Sequence, residues 1–149
     1  MDIESLLRSL NARSVRYIVI GATAFPVHGY ARATLDVDIF IDPNDENARR
    51  THEALTAFGC DLGDVSIEDL RTKKLLIRQY LLEADIHPFV KGISFQEVWE
   101  QRVEDRIGET AVAFASLEHL IRMKEAAGRP KDLEDLRVLR RLKDRKDGG

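Results

Sequence analysis

The chain contains one cysteine, one tryptophan and four prolines in 149 residues, and nowhere do eighteen apolar residues run together. Each scarcity excludes something. A lone Cys60 rules out an internal disulfide framework and a multi-cysteine zinc site, which makes a reducing compartment the simpler expectation and Cys60 itself a small apolar residue. Without a long apolar run, and with acids scattered through "MDIESLLRSL", neither a membrane span nor a secretory leader is expected, and the protein is expected in the cytoplasm. Charge of one sign is not in excess either. The formal net charge of −3 predicts no general attraction to nucleic acid, so any polyanionic partner must be held locally.

What remains is an ordinary globular composition, 44% hydrophobic and 33% charged, without internal repeats or low-complexity linkers. A chain of this length suits one domain, residues 1–149, able to bury about 68–70% of its unfolded surface. Ile3, Leu6, Leu7 and Leu10 fall at helical spacing. "VRYIVIG" then reads as a strand closed by Gly21, "ATAFPVHG" as a short helix or helical turn, and "ATLDVDIFI" as a second strand. Residues 42–59 read as a helix capped by Asp42 or Asn44 and stopped by Gly59. Further on, "SIEDL" suggests a helical turn and "KLLIRQYLLEADIHPFV" one long strand or a hairpin ending near Pro88. "SFQEVWEQR" reads as a helix and "TAVAFA" as a strand. "SLEHLIRMKEAAG" is a helix capped by Ser116 and stopped at Gly128, and "DLEDLRVLRRLK" a final helix before a fraying tail. The order of strands and helices predicts an α+β or α/β domain with helices at both ends, including a helical portion at about 116–145.

The chemistry concentrates in "RATLDVDIFID". In an extended strand Leu35, Val37, Ile39 and Ile41 share one face, and Asp36, Asp38 and Phe40 the other, together with Arg32 and Thr34 if the strand reaches back that far. Ionised groups are costly in such a segment unless something positive sits beside them. Two residues of strand rise about 6.6 Å, a separation at which two carboxylates can flank one divalent cation or two. Oxygen ligands favour magnesium, or manganese in its place. A simple polar strand face is the alternative reading; a calcium loop is not, because no glycine stands at the sixth position. In "LLEADIHPF" Glu83, Asp85 and His87 point one way, offering Asp85 as a third ligand that could also accept a proton from an attacking hydroxyl. His87 is expected to pack or hydrogen-bond, since magnesium prefers oxygen, and Glu83 to be a neighbour. Gly21 permits close backbone approach in front of the first helical turn, where amide groups can hold a phosphate.

Taken in order, "IVIGATAFPVHGYARATLDVDIFI", "ADIHPF" and "ASLEHLIRMKEAAGRPKDLEDLRVL" resemble the nucleotidyltransferase superfamily of the DNA polymerase beta fold over most of the chain. Within it the likeness is to AbiEii-type toxin and minimal nucleotidyltransferases. The resemblance implies a phosphate-binding turn at Gly21 and Ala22, a metal-binding pair at Asp36 and Asp38, and a third carboxylate at Asp85. It implies that Arg32 and Thr34 lead into the pair and that Lys124 approaches the nucleotide phosphates. It further implies Mg2+ or Mn2+, an NTP donor, a hydroxyl acceptor on RNA, protein or a small molecule, and a possible toxin–antitoxin partner. Many members carry Gly-Ser at the turn, and Ala22 offers no hydroxyl, which keeps open a nucleotide-binding or antitoxin-like module without turnover. A glycosyltransferase using Asp-x-Asp is disfavoured by the short chain.

Lys124 shares a helix face with Leu117, Leu120 and Ile121, so it either snorkels or contacts phosphate. Asp132 and Asp135 are expected to be structural and to pair with Lys124 or Arg129. The basic residues of the last helix, from Arg137 to Lys146, read as a solvated face, His28, His52 and His119 as packing or surface residues, and Trp99 as core.

Overall fold

A computed structural model describes residues 2–32, 34, 36–79 and 81–148. Helix α1 (Ile3–Ala12) starts where Asp2 accepts a hydrogen bond from the Ser5 amide, and it buries Leu6, Leu7 and Leu10. Strand β1 (Tyr17–Ile20) is buried throughout. The helix expected next is instead two 3-10 turns, Gly21–Ala24 and Pro26–His28, closed by Gly29 at φ +98°. Pro26 explains the break, because it has no amide proton to continue the first turn.

Strand β2 (Asp36–Ile41) begins later than the sequence pattern suggested, so Arg32 and Thr34 lie ahead of it, outside the strand. Leu35, assigned to the inner face, falls outside the described residues. Helix α2 (Asp45–Phe58) is capped by Asn44 rather than Asp42 and stops at Gly59. Helix α3 (Ile67–Thr72) opens on a reciprocal capping box between Ser66 and Asp69. The ambiguous apolar stretch is a hairpin, β3 (Leu75–Gln79) and β4 (Leu82–His87). Helix α4 (Phe95–Glu100) has a Ser94–Glu97 capping box. Strand β5 (Val103–Ile107), not anticipated, pairs with β6 (Thr110–Phe114). Helix α5 (Leu117–Ala127), a 3-10 turn at Pro130–Asp132 and α6 (Leu133–Asp147) complete the chain. The expected fraying tail is helical as far as Asp147, held in part by Lys143 reaching Asp147 at 3.1 Å.

The six strands lie in the order β3-β4-β2-β1-β6-β5. β2 runs parallel to β4 and β1 parallel to β6, while the β1–β2 pair and both edge hairpins are antiparallel. Val37, Ile39, Ile41, Ala84 and Ile86 belong to the core beneath the sheet. The face expected to be purely chemical is divided: Phe40 is buried there with Phe95 of α4 edge-on at 5.3 Å, so only the Asp36–Asp38 end stays open. No helix among the described residues is long and apolar enough to cross a membrane.

Candidate active site

Parallel pairing of β2 with β4 sets Asp36 opposite Glu83, Asp38 opposite Asp85 and Phe40 opposite His87. Directly opposed residues share a face, so the sheet itself assembles the acids. Asp38, Asp85 and His87 each offer a ligand atom within 4.8 Å of the others. Asp36 stands outside that close group, with the Thr34 hydroxyl 3.0 Å from its carbonyl and 3.1 Å from Oδ1. The Thr23 hydroxyl also donates to the Asp36 carbonyl, tying the start of β2 to the turn.

His87 Nε2 lies 2.9 Å from Asp38 Oδ1. A carboxylate only accepts, so Nε2 carries the proton in this arrangement and must give it up before it can ligate a metal. The pattern of Glu83, Asp85 and His87 on one face foretold this neighbourhood, and hydrogen bonding is what His87 does here. Asp85 is 7% exposed and already has cations: Arg78 Nη1 donates to Oδ1 at 2.8 Å, and Lys74 Nζ is 3.6 Å from Oδ2. Asp85 in turn holds the Arg78 guanidinium above its ordinary range. Neither cation was singled out in the sequence. The signal was the hairpin register, which sets Leu76 opposite Asp85 and thereby brings Lys74 and Arg78, two residues to either side, onto the same face.

The glycine turn comes hard against this pair. Gly21 has φ +71°, and a methyl group built on it would lie 2.7 Å from Asp38 Oδ2. Only glycine combines that backbone with that proximity.

A second cluster faces the acids from the C-terminal helices. Lys124 Nζ reaches Asp132 Oδ1 at 2.9 Å and Asp135 Oδ2 at 3.4 Å. Arg129 Nε donates to Asp132 at 2.7 Å, the Tyr30 hydroxyl to Asp135 at 3.0 Å, and Arg32 Nη1 pairs with Asp135 at 3.0 Å. Arg32 therefore joins this cluster instead of lining the strand beside Asp36. Burial pushes the Asp132 carboxyl up, but the hydrogen bonds from Arg129 and Lys124 outweigh it and hold the group below its ordinary value. Burial, reinforced by the hydrogen bond to Asp135, raises the Tyr30 phenol. The pairing expected of Asp132 and Asp135 is thus present, with Lys124 bridging both.

One cavity of about 830 Å3 spans the two clusters and is lined by Gly21, Ala22, Asp36, Asp38, Asp85, Arg32, Thr34 and Lys124. Every residue singled out for the site in the sequence lines it. Lys91 and Lys131 line it too, and neither has an ion-pair partner among the described residues. Two carboxylates and an imidazole form a donor set that fits a divalent cation, manganese more readily than magnesium because of the nitrogen.

A six-stranded mixed sheet with flanking helices, carrying opposed acids on two adjacent parallel strands beside a glycine turn, has the architecture of a nucleotidyltransferase domain. The chain belongs to the family of nucleotidyl transferases of unknown function, DUF2204, whose model matches residues 1–148. Its fold is that of TM1012 from Thermotoga maritima, a nucleotidyltransferase by provisional assignment whose crystal structure superposes with a TM-score of 0.61 at 16% identity, over 89% of this chain and 86% of that one. No curated protein matches the sequence.

Proposed function

We propose that this protein is a divalent-metal-dependent nucleotidyltransferase, acting as one domain in the cytoplasm, that moves a nucleoside monophosphate from an NTP to a hydroxyl acceptor and releases pyrophosphate. The observation that carries this reading is the direct register of Asp38 with Asp85 beside Gly21. Asp38 and Asp85, with Asp36 or His87 completing the set, would hold Mg2+ or Mn2+, which when bound neutralises phosphate charge and polarises the reacting oxygens. The acceptor oxygen would bond to the α-phosphorus as the bond from that phosphorus to the β-phosphate bridging oxygen breaks, and Asp85 would take the hydroxyl proton. The Gly21–Ala22 backbone, Lys124 and Arg32 are the candidates for holding the triphosphate, and Thr34 positions Asp36. The acceptor would be an RNA end, a protein or a small molecule, and the likeness to AbiEii-type proteins supports a toxin–antitoxin setting.

The test is incubation with labelled NTPs, Mn2+ or Mg2+, RNA and cell lysate. Asp38→Asn and Asp85→Asn are expected to lower transfer by about a hundredfold or more while the circular dichroism spectrum is unchanged. Equal activity in either variant sinks the assignment. A second reading, a nucleotide-binding module without turnover, is favoured by one observation: Asp85 is clamped by Arg78 and Lys74. Ala22 points the same way. Calorimetric NTP binding without any labelled product would support it.

A further inference from the structure

Among the described residues Phe89 is the one exposed aromatic, 73% accessible, whereas the other described rings are buried or half-buried. Its position is fixed on both sides. Pro88 before it is buried, and Ile93 after it bridges back to Val90, with the Ile93 amide donating to the Val90 carbonyl at 3.4 Å. Gly92, at φ +85°, lies so near α5 that a methyl group there would stand 2.9 Å from Ala126 Cβ. The loop is therefore clamped to the helix while it holds a phenyl ring in water, an arrangement that forgoes the stabilisation of burying that ring.

The ring stands two residues beyond His87 and lines the cavity that contains the acids, with Lys91, which has no ion-pair partner among the described residues, two residues further on. It is also the single residue shared with a second, largely apolar cavity of about 420 Å3. A flat apolar face, a free cation and a carboxylate cluster side by side match, in turn, the base, the phosphates and the metal requirement of a nucleotide. Aromatic side chains in such settings stack on bases irrespective of sequence, because every base has a π-face.

We propose that Phe89 is the stacking platform for a nucleobase at this site, the base belonging either to the NTP or to the terminal nucleotide of a single-stranded RNA acceptor. The inference rests on the nucleotidyltransferase reading and adds to it the nucleoside-contacting residue. The exposed ring can be changed without disturbing the core, so Phe89→Ala and Phe89→Trp are usable variants.

Calorimetry in the presence of Mn2+ should compare wild type and both variants against ATP, inorganic tripolyphosphate and a short single-stranded RNA. Phe89→Ala should weaken either ATP or RNA by about tenfold or more, Phe89→Trp should restore it, and tripolyphosphate should bind all three alike. A change confined to ATP assigns the base to the donor, and one confined to RNA assigns it to the acceptor. Unchanged affinity in both arms, or tripolyphosphate weakened in parallel, overturns the inference. Failure of the underlying reading looks different: wild type would then bind ATP no better than Asp38→Asn, while the RNA arm still decides the role of Phe89.

Discussion

The two walls of the main cavity handle carboxylates in opposite ways. On the helical wall, Asp132 and Asp135 are buried and saturated, served by Lys124, Arg129, Arg32 and the Tyr30 hydroxyl. On the sheet wall, among the described residues, the lysine and arginine ion pairs to Asp36, Asp38, Asp85 and Glu83 come from Lys74 and Arg78, and both go to Asp85. A saturated cluster has much to lose from dissection, and Lys124 or Arg32 could meet a phosphate from it only by loosening an existing ion pair; an undersupplied one gains from a cation and is tolerant of losing charge. The first is chiefly a joint between α5, α6 and the segment before β2, and the second is where positive charge is wanted.

The sharpest way to break that contrast is by stability. Asp132→Ala leaves the buried Lys124 ammonium with Asp135 alone and takes the carboxylate from Arg129, and is expected to cost about 1.5–3 kcal/mol in urea denaturation. Asp38→Asn should cost little or be stabilising, since it relieves repulsion among the acids. If both variants lose the same stability, the division into joint and site is wrong. The pH dependence follows the same logic. The folded-state value of Asp132 is depressed, so on acidification the unfolded chain binds the proton first; the stabilisation is complete above the ordinary carboxylate range and is lost as pH falls through the folded value. Wild type should therefore lose melting temperature below about pH 4 more steeply than Asp132→Asn.

Next in size is Gly21→Ala. A left-handed backbone at an alanine costs about 1–2 kcal/mol, and the new methyl group would press on Asp38 Oδ2. A melting temperature lower by roughly 2–8 °C is expected, together with weaker Mn2+ binding. Wild-type metal affinity in this variant would show that the turn and the acid do not act together. The smallest expected effect is Arg78→Gln, which removes a half-exposed competitor from Asp85 and should tighten Mn2+ by about two- to fivefold in a calorimetric titration. Weakened metal binding would instead make Arg78 a support for the site.

Most of this contrast was visible in the linear sequence wherever periodicity and caps agree. Helices α2 and α5 were legible because Asn44 and Ser116 start them and Gly59 and Gly128 stop them, and in α5 apolar residues also recur at helical spacing. Strand β5 was not, because "VEDRI" is an edge strand whose central residues are exposed and charged, and its pairing with β6 is a tertiary choice. The acid residues were legible from alternation within β2 and β4. Two things were not. The burial of Phe40 depends on where α4 lands, and the cations on Asp85 depend on hairpin register. The position of Arg32 hung on whether the strand reaches back from Asp36, which it does not: Asp135, more than a hundred residues away, draws its side chain aside.

The pairing of Asp38 with Asp85 ties chemistry to folding fidelity. Side chains alternate along each strand, so a one-residue slip of β4 against β2 would turn Asp85 into the core and Ala84 or Ile86 onto the open face. The same slip would bury a charge and expose the apolar row, and such a chain would not stay folded. A misregistered protein that survives but cannot bind metal should therefore not accumulate: here the quality control of the fold also inspects the site.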